Sequence, residues 1–148
     1  MTKINYIKGD ATEPVGEGQK IIVHISNNKR KWGRGFVLAL SAKWAEPEAE
    51  FYKMKPVLGN VHLVKVTQDI TVANMIAQDG FISKNNSQPV KYVTLDHCLK
   101  QVNLSAARLG ASIHMPKIGS GLGGGDWDVI EHMIEAVFDV DVTVYEFG

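Results

Sequence analysis

Gly119-Ser120-Gly121-Leu122-Gly123-Gly124-Gly125-Asp126-Trp127 is the stretch on which the fold turns. Five of its first seven residues are glycine, and it stands between a β-rich run at 112–116 and a helical pattern that begins near Asp126. Glycine permits positive φ and lets backbone amides come close to a ligand, while the helix N-terminus that follows adds exposed N–H groups and partial positive charge. A loop built this way wraps a diphosphate. It is not a Walker loop, because no Gly-Lys-Ser/Thr follows, and it lies too near the chain end to fit the dinucleotide fingerprint. A merely flexible surface turn has no need to sit at a strand-to-helix switch, where open sheets bind ligands.

Working outward, a second polar loop follows another strand: Ser26-Asn27-Asn28-Lys29-Arg30-Lys31-Trp32-Gly33-Arg34-Gly35-Phe36. It too leads from a strand end into a helix, so the two loops are expected on one edge of a parallel sheet. Asn27 and Asn28 carry amides suited to sugar hydroxyls, and Gly33 and Gly35 let the backbone approach phosphate. Lys29, Arg30, Lys31 and Arg34 together attract an anion, although any one lysine there reads first as a solvated charge. Gly9-Asp10, after the first strand, adds a carboxylate able to accept a hydrogen bond from an exocyclic amine.

Short β-rich runs at 4–7, 21–25, 61–66, 71–76, 112–116 and 142–145 alternate with amphipathic stretches, the pattern of a layered α/β domain with a buried sheet. Apolar residues recur every three or four positions over 89–109, with Pro89 suited to the first turn and Gly110 to the C-cap. Asp126 suits the N-cap of a last helix buried through Ile130, Met133, Ile134 and Val137. Two shorter helices are expected over 35–44 and from Pro47, and 83–89 reads as a mobile loop. With 148 residues, 45% of them hydrophobic, the chain is expected to form one domain over 1–148. Sixteen basic residues balance sixteen acidic ones, which removes any overall field for non-specific nucleic-acid binding. The lone Cys98 cannot form an internal disulfide, no signal segment opens the chain, and no apolar run nears the roughly 20 residues of a membrane span. A cytoplasmic protein, monomeric by default and away from membranes, is the expectation. The scattered histidines predict no metal site, and no cofactor is expected.

At this point the residues resemble the macrodomain family over nearly the whole chain. The resemblance is carried by Tyr6-Ile7-Lys8-Gly9-Asp10-Ala11-Thr12, by Ile22-Val23-His24-Ile25-Ser26-Asn27-Asn28 with Trp32-Gly33-Arg34-Gly35, by Met115 to Gly124, and by Val142-Thr143-Val144-Tyr145. It is nearest the branch that contains the yeast ADP-ribose 1''-phosphate phosphatase, the terminal ADP-ribose protein glycohydrolase and bacterial enzymes that remove ADP-ribose from DNA. The resemblance implies a three-layer α/β/α fold with a mixed, roughly six-stranded sheet, and a cleft for ADP-ribose or a derivative, free or on a macromolecule. It implies that Asp10 reads the adenine amine with Ala11 assisting, and that Gly119, Ser120, Gly121, Leu122, Gly123 and Gly124 bind the diphosphate. Asn27, Asn28, Gly33 and Gly35 would hold the distal ribose, Trp32 would wall the cleft, and Tyr145 would pack near adenine.

The resemblance also places Gln78 where the glycohydrolases carry a nucleophilic lysine, and Gly123 near their assisting aspartate. Glutamine forms no Schiff base, which counts against a lysine-dependent glycohydrolase, and the resemblance to the yeast phosphatase makes a phosphatase that uses His24 and Asp126 the first expectation. His24 matches the family's His-x-x-Asn context, and histidine transfers protons near neutrality beside a carboxylate. The alternatives are a hydrolase of ADP-ribose conjugates, with Lys84 as a stand-in nucleophile, and an ADP-ribose reader without turnover.

Overall fold

Two nearly continuous apolar runs build the centre of the sheet. In the computed structural model, which describes residues 2–147, they are β2 (Lys20–Asn27) and β4 (Ile70–Gln78), buried along almost their whole length. Strands covered on both faces have no polar side to show, hence the unbroken runs. Met1 and Gly148, the ends of the expected 1–148 domain, lie outside the described residues.

The remaining elements are β1 (Ile4–Lys8), α1 (Phe36–Lys43), α2 (Glu46–Lys53), β3 (Val61–Lys65), α3 (Tyr92–Leu109), β5 (Ser112–Met115), α4 (Trp127–Val137) and β6 (Val142–Glu146). The strand order is β1-β6-β5-β2-β4-β3. Every neighbouring pair is parallel except β3 with β4, so the sheet is mixed through one antiparallel edge strand. Successive side chains on a strand face opposite ways, and the two cores follow that alternation. Ile21, Val23, Ala73 and Met75 pack with α3 and α4, whereas Ile22 and Val72 pack with Val37, Leu40 and Phe51 of α1 and α2. The result is the three-layer α/β/α arrangement.

Helix ends follow local chemistry where the sequence supplies it. Gly110 closes α3 in the left-handed region at φ 66, which glycine adopts without a Cβ penalty. Asp126 caps α4, its carboxylate accepting from the Asp128 amide. One boundary departs from expectation: α3 begins at Tyr92, not Pro89. The Pro89 carbonyl accepts from Asp79, the Val90 amide donates to Gly123 and the Lys91 amide to Ala77. Extended backbone at 89–91 therefore ties β4 to the glycine loop. Within 83–89, Ser83 and Asn86 exchange backbone hydrogen bonds, and the Asn86 amide group donates to the Asp79 and Phe81 carbonyls. Residues 83–86 therefore form a tight, internally bonded turn.

Candidate functional site

The strand order makes the site. β5 and β2 are parallel neighbours, yet the chain leaves β2 toward α1 on one face and leaves β5 toward α4 on the other. A crevice opens at the carboxyl ends of strands that diverge in this way. Here it is a cavity of about 640 Å³, lined by the loop after β2, the end of β4 and the loop after β5.

The loop after β2 is held by its own asparagines. Asn27 Oδ1 accepts from the Lys29 and Lys31 amides at 2.9 and 3.2 Å, and its Nδ2 donates to the Lys31 carbonyl. Asn28 clamps the loop to the end of β4: its Nδ2 donates to Asp79, and its Oδ1 accepts from the Gly80 amide. Arg30 takes a left-handed backbone, φ 57, and its guanidinium donates to the Tyr52 carbonyl. These bonds present Lys31, Gly33, Arg34 and the α1 N-terminus at Gly35 to the cavity.

The glycine loop forms the facing wall with Gly119, Ser120, Leu122 and Gly123. A Cβ on Gly119 would lie 2.7 Å from Ile130 Cδ1, and one on Gly124 would lie 2.2 Å from the Ser87 carbonyl oxygen. The glycines thus let the loop press against α4 and the 87–90 segment while its outer edge stays open. Gly121 and Gly124 are not among the lining residues. Lys117 adds a third cation, with Glu146 3.5 Å away. Among the described residues that line the cavity there is no carboxylate. Electrostatically and by its backbone donors, the cavity is built for an anion.

His24 lies on its floor, 1% exposed. Its Nε2 meets Asn74 Oδ1 at 2.5 Å, and Asn74 Nδ2 donates to the Pro47 carbonyl. Burial lowers the His24 pKa to about 4, against a smaller opposing contribution from Asn74. The imidazole is therefore neutral at pH 7.

No protein-family model matches the chain. Over 99% of its length it is 34% identical to the mouse chromodomain-helicase-DNA-binding protein 1-like, but it spans only 18% of that relative. A Lodderomyces elongisporus ADP-ribose 1''-phosphate phosphatase is 26% identical, with 96% of this chain and 97% of the relative covered. A Bacteroides thetaiotaomicron protein of unknown function superposes with a TM-score of 0.92 at 43% identity, covering 97% of each chain. A macrodomain protein from Streptomyces coelicolor superposes with a TM-score of 0.86 at 39% identity, covering 99% of this chain and all of that one. This chain belongs to the macrodomain family.

In this macrodomain several expected site residues stand away from the cavity. Asp126 is the exposed cap of α4, its amide bonded to the Tyr92 hydroxyl, and it does not line the cavity that holds His24. Trp32 is buried, donating to Ser41 and packed on His24 and Phe51; it supports the wall from behind. Tyr145 points inward, where its hydroxyl accepts from the Val15 amide and meets His114 Nδ1 at 2.7 Å. Asp10 and Ala11 lie outside the cavity lining, and Asp10 Oδ1 accepts from both the amide and hydroxyl of Thr12. Gln78 is on the wall, donating to the Gly80 carbonyl. Lining residues not singled out from sequence include Ser26, Lys117 and the half-exposed pair Phe81 and Ile82. Ser26 had a signal, since it shares a strand face with His24. The two rim side chains had none.

Proposed function

We propose that this macrodomain binds ADP-ribose or a derivative of it in the cavity and hydrolyses it, with removal of phosphate from ADP-ribose 1''-phosphate as the reaction. The observation that carries binding is the lining itself: Lys31, Arg34, Lys117, two glycine-rich loops and a helix N-terminus, with no carboxylate among the described lining residues. A diphosphate is the group that such a wall stabilises. The substrate is supported by the fungal relatives of 25–27% identity, each an ADP-ribose 1''-phosphate phosphatase. Proton transfer falls to His24, the one histidine on the cavity wall among the described residues. Asp10, with one oxygen engaged by Thr12, offers the other to the adenine amine outside the main cavity.

A second reading, a reader without turnover, is favoured by one observation: Gln78 occupies the wall, and its amide is no nucleophile. Calorimetry with ADP-ribose, followed by phosphate release from ADP-ribose 1''-phosphate in wild type and His24→Ala, separates the two. Binding with release that His24→Ala abolishes is the expected result. Binding without release leaves the reader or a hydrolase of ADP-ribose conjugates, which release of free ADP-ribose from such a conjugate tells apart, and absence of binding removes all three.

A further inference from the structure

Two buried polar atoms on the cavity floor have no hydrogen-bond partner among the described residues: His24 Nδ1 and Ser26 Oγ. Their residues are 1% and 4% exposed, both line the cavity, and both project from the same face of β2. Buried polar atoms are rarely left unpaired, because each costs the desolvation of the group with no return. Both residues line the cavity, and a ligand seated in it is the partner that the protein itself does not supply.

The protonation of His24 follows from the atoms behind it. Asn74 Nδ2 donates to the Pro47 carbonyl, so the atom Asn74 turns to His24 is its oxygen, an acceptor. The ring proton therefore sits on Nε2, and Nδ1 carries a lone pair. β2 and β4 are in register at this point, His24 opposite Asn74, which fixes the contact through the sheet itself.

We infer that Asn74 is a positioning residue that holds His24 as the Nε2–H tautomer, so that Nδ1 and the Ser26 hydroxyl together read one O–H group on the ligand. The O–H donates to Nδ1 and accepts from Ser26. This rests on the cavity holding an ADP-ribose derivative. A fully ionised phosphate has no proton to give and would set its oxygens against the Nδ1 lone pair, so phosphate belongs on the cationic wall and an alcohol or water on the floor. Burial favours the same division, because it keeps the imidazole neutral at pH 7. Two sources supply such an O–H: a hydroxyl of the terminal ribose, or an ordered water.

Long-range nitrogen–proton NMR correlations of the His24 ring in wild type should place the proton on Nε2; a proton on Nδ1 overturns the inference. In Asn74→Leu both tautomers should appear while the His114 pattern stays unchanged, and an unaltered His24 pattern removes Asn74 from the role. Should that variant not fold, the wild-type spectrum and Ser26→Ala decide. Ser26→Ala should weaken ADP-ribose binding about three- to tenfold, the scale of one lost hydrogen bond, and leave binding of ADP, which lacks the terminal ribose, unchanged. Unchanged ADP-ribose affinity with slower phosphate release assigns the O–H to water. No effect on either, or an equal loss for ADP and ADP-ribose, overturns the two-point reader. If wild type binds no ADP-ribose at all, the proposed function falls and this inference with it.

Discussion

At the scale of single residues, the glycine loop separates glycines that are required from glycines that are tolerated. Gly119 and Gly121 both have positive φ, 76 and 65, but a Cβ on Gly119 meets Ile130 at 2.7 Å whereas one on Gly121 meets open space. Gly119→Ala therefore combines backbone strain with overpacking and should cost about 2–4 kcal/mol. Gly121→Ala carries the strain alone, about 1 kcal/mol. Urea denaturation of the two variants checks the difference, and equal losses would mean that contact with α4 is not what constrains the loop. The sequence made the cluster conspicuous without ranking its members, because the ranking depends on side chains such as Ile130 and on the Ser87 carbonyl, which only the fold brings there.

At the scale of elements, α4 and β6 each hold part of the site in place. Asp126→Ala removes the α4 cap and should lower stability by about 1 kcal/mol, while phosphate release measured well below the melting temperature changes little. Asp126→Asn keeps the cap and should match wild type in both assays; a large loss of turnover there, with stability intact, would restore the carboxylate to the chemistry. At the end of β6, the Tyr145 hydroxyl anchors the 10–15 segment through the Val15 amide. Tyr145→Phe should cost about 1–2 kcal/mol and weaken ADP-ribose binding without touching the ligand, by loosening the segment that carries Asp10. Calorimetry of that variant tests it, and undiminished affinity would detach Asp10 from recognition. Helices were readable because burial of one face imposes a period of 3.6 on the apolar residues, and the central strands because burial of both faces leaves nearly unbroken apolar runs. The start of α3 was not, because Pro89 carries the same local signal whether it opens a helix or, as here, accepts from Asp79 ahead of two residues bound to Gly123 and Ala77.

At the scale of the whole molecule, the sheet order decides what the sequence left apart. Residues 50 positions apart, His24 and Asn74, meet because β2 and β4 pair in that register, and nothing local predicts a register. A lone asparagine inside the apolar run of β4 was the visible trace, since a buried amide requires partners. The same sheet buries His114 on β5, where desolvation first and Lys20 second lower its pKa to about 4. Both imidazoles thus have folded pKa values near 4, below the ordinary 6.5 of a solvated histidine. Between these values the unfolded chain binds more protons than the folded one, so stability rises with pH across that window. It is fully present above about 6.5 and is lost as pH falls toward 4. At pH 5 each histidine should remove about 2 kcal/mol relative to pH 7, which urea denaturation at the two pH values measures in wild type and in His114→Gln. The variant should show roughly half the pH-dependent loss attributable to the pair. An equal loss in both proteins would place the acid sensitivity in carboxylates on the surface, and not in the two imidazoles the sheet encloses.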